Sequence, residues 1–247
     1  MSSERYFIIP PGSEKDDVVI LDGPEFHHCV RVCRVRVGEA IKLLDGRGGT
    51  YDARVERIDE REARVRVLAV TKADELPPID IALGVIKAPR FDLAVEKCTE
   101  LGVRRLIPFT SQRCVWQDEG DAASLKIERI RRKIIASCKQ SGRPYFPEIA
   151  RVMQFNVLAE ELSRYRTVYL GDRRAGETAA AAGRARGGPV LGIVGPEGGF
   201  SPAERTTLVD GGALPLSLGP FRLRSETAAF CLLYRLTIEY LASHADS

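Results

Sequence analysis

The run Val190-Leu191-Gly192-Ile193-Val194-Gly195-Pro196-Glu197-Gly198-Gly199-Phe200-Ser201-Pro202-Ala203-Glu204 constrains what this chain can fold into more than any other segment. Val190–Val194 is short, uncharged and bounded by glycine, the pattern of a strand buried on both faces of a parallel sheet. Gly195, Gly198 and Gly199 then permit close approaches that a Cβ would block. Ser201-Pro202-Ala203-Glu204 supplies an N-cap serine, proline at the first helical position and glutamate at the third, which together spell a capping box. The segment therefore predicts a strand, a positioned glycine loop and a helix start. Its loop stands at the carboxyl end of the strand, where open α/β sheets bind ligands. A tight connection with no ligand would use the same residue types, so a second segment has to decide.

That segment begins with the apolar run 214–218, continues through Gly219-Pro220-Phe221-Arg222-Leu223-Arg224-Ser225-Glu226-Thr227, and leads into a helical apolar pattern over 228–241. Ser225 is placed to cap the helix, and Glu226 lies in its first turn, where a negative charge suits the helix dipole. Capping leaves Arg222 and Arg224 unexplained, because cations at a helix N-terminus oppose that dipole. Neither loop carries G-x-G-x-x-G, and the chain has no G-x-x-x-x-G-K-[ST], which removes support from Rossmann-type hydride transfer and from nucleotide hydrolysis.

Before residue 75 the texture differs. Ala40–Leu44, 50–58 and 62–71 are short alternating or β-branched runs, broken by turn signals such as Asp45-Gly46-Arg47-Gly48-Gly49, and they predict a small antiparallel barrel with a short helix over 25–34. Leu76-Pro77-Pro78 reads as a linker, giving an N-terminal unit over 1–74 and a second over 75–247. Beyond the linker strands are expected near 79–86, 103–109 and 167–171, and helices near 91–101, 124–140 and, weakly, 175–185, where 179–185 is alanine-rich. This alternation predicts an α/β fold with a parallel sheet covered by helices. On the long helix Ile127, Ile130, Ile134 and Cys138 step by three or four toward the core, leaving Arg129, Arg132, Lys133 and Lys139 to phosphates or to water.

A net charge of +3 is only mildly basic, so nucleic-acid binding would depend on local patches such as Arg31, Arg34 and Arg36. Cysteines 29, 33, 98, 114, 138 and 231 form no C-x-x-C pair, as expected of reduced thiols. His27-His28-Cys29 with Cys33 lacks a second ligand cluster, so no metal is expected. No signal peptide precedes Arg5-Tyr6-Phe7-Ile8-Ile9-Pro10, and no apolar run nears the ~20 residues that span a bilayer, so a soluble cytoplasmic protein with no membrane partner is expected.

Gly195-Pro196-Glu197-Gly198-Gly199-Phe200, with Leu218-Gly219 and Leu223-Arg224-Ser225-Glu226-Thr227, resembles the cofactor loops of the SPOUT methyltransferases, and within them the L-G-x-R-I-L-R-T-E-T pattern of the RsmE family. That family methylates N3 of a uridine in 16S rRNA of the small ribosomal subunit. Residues 87–102, ending Glu96-Lys97-Cys98-Thr99-Glu100-Leu101-Gly102, then Gln112-Arg113-Cys114, Lys139-Gln140-Ser141-Gly142-Arg143 and Pro147-Glu148 extend the resemblance over nearly the whole chain. The chain departs from the pattern at Phe221, where the family has arginine, with Arg222 one place later.

The resemblance implies a PUA-like RNA-binding barrel followed by a trefoil-knot domain that binds S-adenosyl-L-methionine (SAM). It places the cofactor on Leu170, Val194, Gly195, Glu197, Gly198, Gly199, Leu218, Gly219, Leu223, Ser225 and Thr227. It places RNA on Arg31, Arg34, Lys87, Arg90, Arg113, Gln140, Arg143 and Arg222. It also implies a homodimer, to which Phe230, Leu233 and Tyr234 of the last helix are candidate contributors. Because N3 of uridine carries a proton at neutral pH, Arg224 is expected to stabilise developing negative charge and Glu226 to accept the proton, directly or through water. Two other functions fit the residues: a non-catalytic RNA-binding or ribosome-assembly protein, and a related enzyme acting on transfer RNA or another base.

Overall fold

The computed structural model describes residues 4–114, 122–173, 175 and 188–244, so the alanine-rich stretch 179–185 lies outside the described residues. Contacts divide the chain into one unit of Met1–Glu75 with Ile135–Phe146, and a second of Leu76–Ile134 with Pro147–Ser247.

In the first unit β1 (Tyr6–Ile8), β2 (Val18–Asp22), β3 (Ala40–Leu44), β4 (Gly49–Ile58) and β5 (Glu62–Lys72) form one sheet in the order β1-β3-β4-β5-β2. Alternation along β4 and β5 buries Ala53, Val55, Ala63, Val65 and Val67 on a core shared with Phe7, Val19 and Leu43. Asp45 sets the hairpin: its Oδ1 accepts the N–H groups of Arg47 (2.7 Å) and Gly49 (2.9 Å). The sheet is mixed and not wholly antiparallel, because β1 pairs in parallel with β3. The helix expected over 25–34 is instead α1 (Gly23–Phe26) running into a π-helical turn, His27–Val32. The Cys33 N–H reaches the His28 carbonyl at 2.9 Å, and the wider turn ends at Arg34 with φ 54. Packing selects this turn: it brings Phe26 and Cys29 into the core together, with Val30 and Cys33 against it. Residues after the long helix join the same unit through Gly48 N–H to Pro144 O (3.0 Å) and Tyr145 Oη–H to Ala73 O (2.9 Å).

After the first five strands, β6 (Ile79–Gly84), α2 (Ala88–Glu100), β7 (Arg105–Thr110), α3 (Ala122–Ser141), β8 (Glu148–Ile149), β9 (Met153–Gln154), α4 (Phe155–Glu161), β10 (Thr167–Gly171), β11 (Val190–Val194), α5 (Pro202–Asp210), β12 (Leu214–Leu216) and α6 (Ser225–His244) follow in chain order, all in the second unit except the part of α3 from Ile135 on, which belongs to the first. The sheet runs β12-β10-β11-β6-β7-β8, with β9 on β7, and these pairings are parallel. Every residue of β6 and β11 is buried, because helices cover both faces and leave no place for alternation. Tyr169, Phe109, Ile81 and Leu106 are among the largest fully buried side chains, each worth about 1.5–3 kcal/mol of transfer free energy. Asp80, fully buried at the start of β6, accepts both Arg104 guanidinium donors (2.8 and 2.7 Å) and the Tyr165 hydroxyl (2.7 Å); burial first, and the bond to Asp80 second, push the Tyr165 phenol well above its usual range. Helix α6 packs on α2, β6 and β11. The strand order turns around between β6 and β11, so the loop after β11 leaves the sheet at its topological switch point.

On α3, Ile130, Ile134 and Cys138 are buried as their spacing predicts. Two of its cations belong to carboxylates of α2: Arg129 binds Asp92 (2.7 Å) and Lys133 binds Glu96 (3.1 Å). Lys139, in the first unit, binds Glu25 (2.6 Å). The six cysteines are free thiols, and burial raises Cys29 and Cys138 to about 11 and Cys98 to about 12. Among the described residues no helix is long and apolar enough to cross a membrane, and no group of three His, Cys, Asp or Glu side chains is arranged to hold a metal.

Candidate functional site

The loops that follow β10, β11 and β12 enclose a cleft of about 630 Å³, within the range of small-molecule sites. Leu170, Val194, Leu218, Leu223 and Ala228 give it apolar lining, and Gly195, Gly198, Gly199 and Gly219 give it backbone.

The glycine loop is held on three sides. Its end is the capping box read from the sequence: Ser201 Oγ accepts the Glu204 N–H (3.3 Å) and Glu204 Oε2 accepts the Ser201 N–H (2.8 Å). Glu204 Oε1 also accepts the Gln112 N–H (2.8 Å), fastening the loop after β7 to the loop after β11. Next to it Arg113 Nη1 donates to the carbonyls of Gly198 and Phe200, both at 3.3 Å. A Cβ at Gly198 would lie 2.9 Å from Arg113 Cβ, so this close approach needs glycine, and Gly199 needs it for its φ of +68. The Phe200 ring stacks on Phe109 of β7 at 6.0 Å, seating the loop on the sheet.

Among the described residues, six arginines line the cleft, Arg90, Arg113, Arg173, Arg205, Arg222 and Arg224, against two acids, Asp172 and Glu197. Arg90 Nη1 binds Glu197 Oε1 (2.8 Å), while its Nε stands 3.9 Å from Glu226 Oε1. Arg205 Nε binds Asp172 (2.6 Å), and Arg222 Nη2 donates to the Glu197 carbonyl (3.3 Å). The surplus of cations over acids makes the cleft a site for anionic groups.

Of the residues assigned to cofactor, Leu170, Val194, Gly195, Glu197, Gly198, Gly199, Leu218, Gly219, Leu223 and Ser225 line the cleft, and Thr227 does not. Arg224 lines it as well, whereas Glu226 is 4% exposed, lies outside the wall, and leaves Oε2 without a hydrogen-bond partner. Ser225 is not the cap: α6 begins at Ser225, and the carbonyl of Arg224 takes the Ala228 N–H at 2.8 Å, so Arg224 holds the cap position. Of the residues assigned to RNA, Arg90, Arg113 and Arg222 line this same cleft. Lys87 and Gln140 are exposed elsewhere, Arg31 and Arg34 are exposed in the first unit, and Arg143 is buried. Burial lowers the Arg143 guanidinium to about 10 and withdraws it from solvent. Sequence reasoning missed Asp172 and Arg205, whose ion pair closes one side of the cleft and leaves no periodic signal.

Fold and cleft together define the class, a SPOUT-type α/β methyltransferase domain with a PUA-like unit. Residues 74–237 match the RNA methyltransferase domain family, and residues 21–68 match the RNA methyltransferase PUA domain family. The chain is 32% identical over 237 residues to ribosomal RNA small subunit methyltransferase E of Mycobacterium bovis, covering 93% of this chain and 90% of that protein. Its identity with the Bacillus subtilis protein of the same name is 27%, over 96% of both chains. The crystal structure of ribosomal RNA small subunit methyltransferase E from Neisseria gonorrhoeae bound to SAM superposes with a TM-score of 0.85 at 25% identity, covering 95% of this chain and 97% of that one. A methyltransferase from Legionella pneumophila with bound SAM gives 0.85 at 27% identity over the same shares. The chain belongs to the ribosomal RNA small subunit methyltransferase E family, the RsmE family that its loop motifs resemble.

Proposed function

We propose that this protein transfers a methyl group from SAM to N3 of a uridine in 16S rRNA of the small ribosomal subunit. The observation that carries the reading is a cleft at the switch point of a parallel sheet, apolar and glycine-lined inside and rich in arginine. Family relatives named as small-subunit rRNA methyltransferases, and neighbours solved with SAM, support it.

The residues present fit the cofactor. The cleft has the volume for it, and the side chain of Arg113 occupies the space a Cβ at Gly198 would need, leaving bare backbone at the loop. Leu170, Val194, Leu218 and Leu223 would pack the adenosine portion, and Gly195, Glu197, Gly198, Gly199, Gly219 and Ser225 would frame it. When bound, SAM supplies an electrophilic methyl group on a sulfonium, so the protein's task is mainly to align the attacking nitrogen.

The nitrogen attacks once solvent water has taken its proton, and the arginines of the cleft lower the cost of the uridinate that remains. Arg224 stabilises charge on the uracil oxygens. Glu226, buried outside the wall, acts through Arg90, which it holds together with Glu197. Arg224→Ala is expected to cut turnover and move the rising limb of the kcat–pH profile upward, with Arg224→Lys in between. Full turnover and an unchanged profile in a folded Arg224→Ala or Glu226→Gln protein would remove these roles.

Residues 1–74 act as the PUA-like RNA-binding domain and 75–247 as the methyltransferase domain of a cytoplasmic homodimer. The exposed apolar stripe of α6, Tyr234 (57%), Ile238 (48%) and Leu241 (52%), supports a subunit contact there, in place of Leu233, which is fully buried. N3-methyluridine in digested 16S rRNA from a deletion strain and its parent, read by mass spectrometry, tests the function. Loss restored by the intact gene supports it, and an unchanged level overturns it.

A further inference from the structure

We infer that Phe221 is a stacking platform for an unpaired base of the substrate RNA, an inference that rests on the methyltransferase reading of the cleft. Phe221 is 79% exposed, the highest value among the described large apolar side chains, although it lines a cleft. The loop that carries it opens with Gly219 at φ +129 and is tied down by Arg222, whose Nη2 donates to the Glu197 carbonyl at 3.3 Å. The backbone is therefore placed while the ring is left to solvent, and the ring pairs described involve other phenylalanines. A phenyl group held in water at the wall of a binding cleft is an apolar surface awaiting a flat partner.

Charge decides what that partner is. Arg222 and Arg224 follow Phe221 in sequence, one and three places on, and are exposed in the same cleft, with Arg113 on the facing loop. A planar apolar face beside guanidinium groups matches a nucleobase followed by its phosphate. Geometry of the reaction asks for the same thing. N3 lies on the pairing edge of uracil, so the target base must be unpaired, and drawing it out of its helix into a pocket also breaks its stacking. Phe221 replaces the stacking that is lost. At this position the RsmE pattern has an arginine, another planar group that stacks on bases, so the exchange keeps a stacking surface and moves the cation one place along to Arg222.

The experiment compares Phe221→Ala and Phe221→Trp with the wild-type chain, using radiolabelled SAM and small ribosomal subunits lacking the modification. Each variant is also titrated with SAM alone and sedimented. Phe221→Ala is expected to raise KM for the subunit roughly ten-fold or more, with SAM affinity and sedimentation unchanged, and Phe221→Trp to restore KM. A wild-type KM in Phe221→Ala overturns the inference. So does a parallel loss of SAM affinity, which would assign the ring to the cofactor, or a change in sedimentation, which would assign it to a subunit contact. Absence of transfer by the wild-type protein, in contrast, overturns the proposed function and takes this inference with it.

Discussion

Glu204→Ala is expected to destabilise the protein by about 3 kcal/mol, far more than removal of the serine that caps the same helix. The carboxylate is 9% exposed and accepts two backbone donors at 2.8 Å, Ser201 N–H on Oε2 and Gln112 N–H on Oε1. A hydrogen bond to a charged acceptor contributes about 1.5–3 kcal/mol, and alanine offers nothing in its place. Gln112 is exposed, so water recovers much of that second loss, while Ser201 is 6% exposed and stays unsatisfied. The total therefore settles near about 3 kcal/mol and not at twice that. Ser201→Ala removes one neutral cap and costs about 1 kcal/mol. For a chain of this size each kcal/mol lowers Tm by about 2–4 °C, so calorimetry should show a fall of about 6–12 °C for Glu204→Ala and about 2–4 °C for Ser201→Ala. Titration with SAM should show weaker binding in Glu204→Ala, because the glycine loop loses its tie to Gln112. A Glu204→Ala protein melting within about 2 °C of wild type, or a Ser201→Ala protein equally damaged, would refute the reasoning.

Three further outcomes follow from the geometry. A Cβ on Gly84, at the end of β6, would run into the backbone nitrogen of Pro196, so Gly84→Ala should cost about 1–3 kcal/mol and weaken SAM binding, measured by urea unfolding and titration. His28 is held below its usual pKa by burial first and by the Lys139 ammonium second, so the unfolded chain takes up the proton first as pH falls. Stability should then drop as the pH goes below about 6.5 toward the folded value, and His28→Gln should flatten that part of the stability–pH curve. The subunit contact proposed on α6 predicts that aspartate at Ile238 and Leu241 together shifts sedimentation from dimer to monomer while leaving far-UV circular dichroism unchanged.

How much of this was legible depends on how local the cause is. β10 and β11 occur at the residues read from the sequence, because each is a compact apolar run ended by glycine. The α5 capping box is equally local, as four consecutive residues carry it. The π-helical turn at His27–Val32 was not legible, since the core contacts that choose it over an α-turn lie on other strands. The short α4 escaped for a related reason: Leu158 is its only buried residue, too little for a periodic signal. Arg143 looked like a surface cation and is buried. The glycine loops announced the cleft, but Arg90 and Arg113 arrive there through crossovers of the sheet, and only the strand order shows that they face Glu197 and Gly198.

The pairing of Ile81 with Gly192 bears on how the chain is made. β6 leaves the ribosome long before β11, the neighbour that pairs with it, and α6, which covers both, comes later still. Until then six consecutive residues that the finished protein buries completely stand without their cover. Parallel contacts between such distant segments form slowly, so the second unit should mature after synthesis of α6, at a stage when its nascent form is most open to capture by chaperones or to aggregation. The first unit, with β3, β4 and β5 in consecutive antiparallel register, can assemble most of its sheet much earlier. Newly made enzyme would then hold an early-structured N-terminal sheet while the second unit is still waiting for its last strands and helix.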